Sequence, residues 1–183
     1  MKRAILRLLG RHTEPDLRVL MVCSGNICRS PTAEAVLRFK LVRAGLGERV
    51  EVDSAGTHGF HVKEAPDPRA QDRARARGYD LSGLRARGVV ADDFRCFQHI
   101  LAMDDGHLKW LNDAAPPDCG ARIGLLMAHA GQGGGRREVP DPYYGSTRDF
   151  ERVLDLVEVA CDGLVHALGR ELIGRDRNRP AQS

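Results

Sequence analysis

The strongest hydrophobic feature opens the chain's first predicted element. Leu17–Val22 reads Leu-Arg-Val-Leu-Met-Val, a nearly continuous apolar run of strand length, as expected of a buried parallel strand. The turn-forming segment Cys23-Ser-Gly-Asn-Ile-Cys-Arg29 follows, and Ser30-Pro31 then reads as a helix start, with Ser as N-cap and Pro as first helical residue. Apolar positions continue at helical spacing through Leu41, and Gly45 and Gly47 end the helix. Val50–Asp53 predicts a second strand, with Ser54–Asp67 as a loop. A charged helix is expected from about Pro68 to Arg77, a third strand at Ile100–Met103 and a short helix at Asp104–Asn112. Ile123–Met127 fits either a fourth strand or a buried helical turn. Gly131–Arg137 reads as a mobile glycine-rich stretch. The best helix follows Ser146-Thr147, with an apolar stripe from Phe150 through Val157 and Leu164 to Leu168. Strands alternating with helices predict a single α/β domain, a three-layer sandwich around a parallel sheet. The domain is placed at 17–174, after a flexible extension (1–16) and before a frayed polar tail (175–183).

Composition narrows this picture. The chain has 183 residues, 42% hydrophobic and 29% charged, which suits one globular domain rather than a disordered or fibrous chain. A formal charge of +3 argues for no nucleic-acid partner and only mildly favours anionic substrates. Five cysteines without regular spacing are no disulfide framework, so a reducing, cytoplasmic location is expected, with secretion lacking a signal peptide as the alternative. No apolar run is long enough for a membrane span. The start, Met1–His12, is interrupted by Arg7 and lacks a cleavage site; it reads as a frayed leader, or else as an amphipathic arm.

Candidate chemistry lies in the segment after the first strand. A cysteine, five residues and an arginine are a weak pattern alone. Placed between a strand and a capped helix, they bring backbone N–H groups and a positive helix end around one point, which makes an anion site. Gly25 is expected to supply the unusual backbone angles of a tight cradle. At the edge of that cradle the helix end and Arg29 both favour a Cys23 thiolate. Arg29 can hold two phosphate oxygens in its planar fork, above a thiolate aligned for in-line attack. Asn26 can brace the loop, and Ser30 can donate to the Cys23 sulfur. No metal is required. The competing view of Cys23, a core filler at a strand end, conflicts with its neighbours. A nucleotide P-loop is excluded by the absence of its glycine–lysine pattern, and a zinc site by the lack of a second ligand pair. Such a mechanism also needs a group to protonate the leaving oxygen and later deprotonate water. Asp141, in Val-Pro-Asp-Pro-Tyr-Tyr-Gly, is the candidate, although Asp-Pro is equally a common turn dipeptide. Tyr143 and Tyr144 beside it would suit an aromatic leaving group.

These residues carry a resemblance. Val22–Glu34 and Asp141-Pro-Tyr-Tyr144 resemble the motifs of low-molecular-weight protein-tyrosine phosphatases, as do Asp53–Thr57, Pro66–Ala70 and Leu101–Asp104, in the same order. The resemblance implies a four-stranded parallel sheet, no cofactor, and hydrolysis of phosphotyrosine through a phosphocysteine. By motif position it implies Cys23 as nucleophile, Arg29 as phosphate binder and Asp141 as general acid and base. Ser24, Gly25, Asn26, Ile27, Cys28 and Ser30 would complete the phosphate loop, with Ser54 joining the supporting network. Ile27, Phe60, Tyr143 and Tyr144 would line the mouth, Phe60 standing where many members have Trp. Cys28 resembles a second family cysteine that forms a reversible disulfide with the nucleophile; a packed loop thiol is the plainer view. Implied partners are a tyrosine-phosphorylated protein, such as a tyrosine kinase, and inorganic phosphate as product.

Departures and rivals sharpen the expectation. Ser24 follows the nucleophile where a larger apolar residue is often seen, so a more open or polar rim is expected. Members that act on phosphoarginine resemble this chain but carry Thr at the position of Ile27, so Ile27 leans toward an aromatic substrate. Arsenate reduction would need a cysteine relay whose surroundings Cys96 and Cys119 do not match. A non-catalytic phosphotyrosine-binding module would be expected to lack Cys23 or Asp141, and both are present.

Overall fold

The computed structural model describes residues 14–131 and 137–178. Four strands, β1 (Leu17–Cys23), β2 (Val50–Gly56), β3 (His99–Ala102) and β4 (Arg122–Leu125), form one parallel sheet in the order β2-β1-β3-β4. Five helices accompany them: α1 (Arg29–Arg43), α2 (Pro68–Ala76), a single turn α3 (Asp93–Cys96), α4 (Asp105–Ala114) and α5 (Thr147–Arg177). The run that suggested a buried strand is the sheet's centre. Leu17, Val19 and Met21 enter a core with Val36, Leu37, Val157 and Leu164, while Leu20 and Val22 enter a second core with Phe94, Ile100 and Leu111. Helices on both faces explain why β1 does not alternate between apolar and polar residues.

Because β1 pairs with β2 on one side and β3 on the other, the connections leaving their C-terminal ends diverge. In open α/β sheets that switch point forms a crevice where ligands bind. The Cys23–Arg29 loop occupies it.

Several boundaries differ from the sequence reading. Ser54, Ala55 and Gly56 belong to β2, because β1 offers them parallel partners as far as Cys23. Ile123–Met127 resolves into both alternatives: β4 ends at Leu125 and a 3₁₀ turn covers Leu126–His129. Helix α1 starts at Arg29, with Cys28 as N-cap, so Ser30 is already inside the helix rather than capping it. Its hydroxyl is thereby free to face the loop. The tail is not frayed immediately after Gly174. Helix α5 continues to Arg177, where Arg49 pairs with Asp176 and Arg175 donates to the Asp16 carbonyl. At its other end, Asp149 accepts from both Ser146 N and Ser146 Oγ. The first thirteen residues of the 1–16 extension, including the whole Met1–His12 leader, most of the Gly131–Arg137 stretch, and the end of the tail lie outside the described residues. Among the described residues no helix is long and apolar enough to cross a membrane.

Candidate active site

Seven residues turn the chain from β1 into α1, and their hydrogen bonds specify the turn. Asn26 has φ 57°, the loop's one positive value outside glycine, and its side chain compensates the strain. Its Nδ2 donates to Ser30 Oγ (2.9 Å) and Ser54 Oγ (2.8 Å), and its Oδ1 accepts from Arg87 N (2.9 Å). Ser54 Oγ in turn donates to the buried Glu34 carboxylate, which Arg38 also pairs at 2.6 Å. Burial pushes the Glu34 carboxyl up, and the Arg38 charge and Ser54 hydroxyl offset this only in part. Arg87 is anchored on Asp53 and Asp93.

The loop's left-handed residue is Asn26, a type whose short polar side chain tolerates that conformation, rather than Gly25, where unusual backbone angles are expected from the sequence. Gly25 serves another end: a Cβ there would lie 2.9 Å from the His61 ring, so its bareness lets that ring close over the loop.

Within the loop, Cys23 Sγ lies 3.0 Å from Ser30 Oγ. Arg29, only 4% exposed, reaches the same pocket. Its Nη1 donates to Asp104 Oδ2 (2.6 Å) and the Val139 carbonyl (3.3 Å). Its Nη2 donates to Asp141 Oδ2 (2.8 Å) and Ser24 Oγ (3.3 Å). Asp104 caps α4 by accepting from His107 N (2.8 Å). Burial alone would raise the Asp104 carboxyl, but hydrogen bonds and charge from His107 and Arg29 hold it well below the usual carboxylate range.

The pocket is lined by Cys23, Ser24, Gly25, Ile27, Cys28 and Arg29 from the loop, and by Phe60, His61, Asp141, Tyr143 and Tyr144 around it. Every candidate lining residue is thus brought to one place, with Asn26, Ser30 and Ser54 directly beneath. Phe60 stacks on His58 with centroids 5.5 Å apart, and Tyr143 meets Tyr144 edge-to-face at 4.9 Å. Phe60 and Tyr144 are almost wholly exposed, at 81% and 97%. Cys28 is a buried free thiol; burial, then the neighbouring Asp67, Cys23 and Asp141 charges, push it far up. Among the described residues no His, Cys, Asp and Glu group is gathered as a metal site would be.

Glu34, His61, Arg87, Asp104 and His107 join the site without being among the sequence candidates, although Glu34 and Asp104 end two of the motif segments. Asp104 was the most findable: an acid just after a strand and three residues before a helical His is an N-cap pattern. Arg87 carries no local signal, since only the folded chain brings its backbone N–H to Asn26.

Residues 18–174 match the family model described as low molecular weight phosphotyrosine protein phosphatase. A low molecular weight protein-tyrosine-phosphatase of Streptomyces coelicolor is 44% identical, covering 86% of this chain and 97% of that protein. The crystal structure of a protein tyrosine phosphatase from Entamoeba histolytica superimposes with a TM-score of 0.81 at 37% identity, over 85% and 98% of the two chains. A Drosophila arginine phosphatase structure has a TM-score of 0.77 at 29% identity, over 83% and 98%. With a family model spanning nearly all of the described domain and relatives covered almost end to end, this chain belongs to the low molecular weight protein-tyrosine phosphatases, a family of phosphoprotein hydrolases.

Proposed function

We propose that the chain hydrolyses phosphotyrosine in proteins through a phosphocysteine at Cys23. The observation carrying this is the convergence on one pocket of the Cys23 sulfur, the Arg29 guanidinium and the Asp141 carboxylate. Backbone N–H groups of residues 24–29 and the α1 N-terminus supply further positive potential for a phosphoryl group. Arg29, held from behind by Asp104, keeps Nη2 toward the pocket. A phosphate dianion would displace Asp141 from Nη2, releasing that carboxyl for the leaving oxygen. The Cys23 thiolate attacks phosphorus as the P–O bond to the tyrosyl oxygen breaks, and Asp141 supplies that oxygen's proton. Asp141 then takes a proton from water as water attacks phosphorus and the thiolate leaves, assisted by the Ser30 hydroxyl at 3.0 Å. The products are tyrosine and inorganic phosphate.

Ile27, Phe60, Tyr143 and Tyr144 make an apolar wall that favours an aryl phosphate. The second reading, phosphoarginine, draws on the Drosophila relative named as an arginine phosphatase. It is opposed by Ile27 at the base of the wall. The natural partner is a tyrosine-phosphorylated protein, such as a tyrosine kinase.

Two measurements test the reading. Phosphotyrosine and phosphoarginine peptides of one sequence should be cleaved with a clear preference for tyrosine; preference for arginine overturns the substrate assignment. Asp141→Asn should lower kcat by about 10²–10³-fold for a poor aryl leaving group and far less for a good one. Equal losses for both would remove Asp141 from the acid role.

A further inference from the structure

Beside the nucleophile loop lies a chain of polar contacts that the proposed chemistry leaves unused. His107, at the third position of α4, is 6% exposed and its ring reaches the Cys23–Arg29 loop. Its Nε2 is 2.8 Å from Ser24 Oγ. Its Nδ1 is buried without a hydrogen bond of good alignment, yet lies 2.8 Å from Asp104 Oδ1. Asp104 holds Arg29 Nη1 through its other oxygen, and Arg29 Nη2 reaches back to Ser24 Oγ. The four residues close a ring: Arg29, Asp104, His107, Ser24 and Arg29 again.

One contact in the ring has a fixed direction: a guanidinium has only donors, so the Ser24 oxygen accepts from Arg29 Nη2. A carboxylate 2.8 Å away favours the imidazole proton on Nδ1. Nε2 meets the Ser24 hydroxyl at 2.8 Å, a contact in which either atom can be the donor. The contacts to His107 and to Arg29 together hold the Ser24 oxygen beside the guanidinium.

We propose that His107 is a positioning residue for phosphate binding, acting through Ser24: the pair keeps the Ser24 oxygen turned toward Arg29, so that the guanidinium plane stays fixed over Cys23 when Asp141 lets go of Nη2. Ser24 accordingly contributes its side chain to Arg29 rather than to phosphate. This rests on the reading of Arg29 as the phosphate binder. It also gives a reason for a serine at the position after the nucleophile: an apolar side chain there would leave Nε2 of a buried histidine without a partner.

A double-mutant cycle tests it, with kcat/KM for an aryl phosphate and the inhibition constant of inorganic phosphate as readouts. Ser24→Ala and His107→Phe each remove the contact, the latter while keeping an aromatic ring. Each should lower kcat/KM and weaken phosphate inhibition on the order of tenfold. The double variant should be no worse than either single, since the two residues act as one unit. His107→Gln places an acceptor oxygen as many bonds from Cβ as Nε2 and should restore most of the loss. Multiplying losses in the double variant, unchanged phosphate inhibition in His107→Phe, or no rescue by Gln in a protein of normal melting temperature would each overturn the proposal. Cys23→Ser, run alongside, separates this failure from failure of the underlying reading: retained turnover there would overturn the mechanism, whereas additivity in the cycle overturns only the ring.

Discussion

Asn26 shows how much of the site depends on single side chains. It occupies the left-handed region, and its amide makes three hydrogen bonds that tie the loop to Ser30, Ser54 and the Arg87 backbone. Asn26→Ala strands those partners and leaves the strain uncompensated, so it should cost about 2–3 kcal/mol of stability, measurable by denaturant unfolding. Turnover should fall as well, because Ser30 loses the contact that aims it at Cys23. Asp104 gives a pH test. Its folded-state pKa is depressed from 3.8, so its contribution to stability is fully present above that value and lost as pH falls through the folded-state value. Glu34 has the opposite sign: raised from 4.5 by burial, it contributes below that value and loses the contribution as pH rises through its folded-state value. Acid unfolding followed by circular dichroism should therefore show a shallower acid-side loss in Asp104→Asn. Glu34→Gln, by contrast, should flatten the weakening on the other side of the carboxylate range. For Cys28, a thiol pushed far up by burial is a poor attacking group near neutrality. After peroxide converts Cys23 to a sulfenic acid, closure to a Cys23–Cys28 disulfide with loss of water should be slow and quicken as pH rises. Mass spectrometry of alkylated peptides would report the rate.

At the scale of elements, the same polar residues mark where the sequence could and could not be read. Helix α5 was legible because its apolar stripe is long and its N-terminus is marked by Ser146 and Asp149. Strand β1 was legible because both its faces are buried, and the Cys23–Arg29 loop because a strand, a turn and a helix start follow one another in sequence. Boundaries drifted where tertiary partners decide them. Ser54–Gly56 have no strand pattern of their own and are extended because β1 pairs with them. Helix α1 starts one residue before Ser30 because that hydroxyl is drawn to Cys23 and Asn26 rather than to a capping role. His107 was invisible for the same reason: an isolated helical histidine gains meaning only when α4 brings it to Ser24. One close approach in α5 had no sequence signal either. A Cβ on Gly163 would lie 1.8 Å from the His129 carbonyl oxygen, so the helix rests directly on the 3₁₀ turn after β4. Gly163→Ala should force the two apart and cost about 1–3 kcal/mol, read from the melting temperature, with the pocket chemistry largely kept.

For the whole molecule, one topological fact organises the rest. A parallel sheet whose central strand has neighbours leaving in opposite directions opens a crevice at that strand's end, and this chain places Cys23 there. Three separate connections converge on it: the Cys23–Arg29 loop, Asp104 and His107 opening α4, and the Asp141 segment before α5. Their convergence supports the claim that Cys23 carries the phosphoryl group, which goes beyond family membership. Rapid quenching of a reaction with a labelled aryl phosphate tests that claim most directly. A burst of phenol matching the enzyme concentration is expected, with label bound to the peptide containing Cys23 and no label on Cys23→Ser. Label found on another residue, or full turnover by Cys23→Ser, would contradict it.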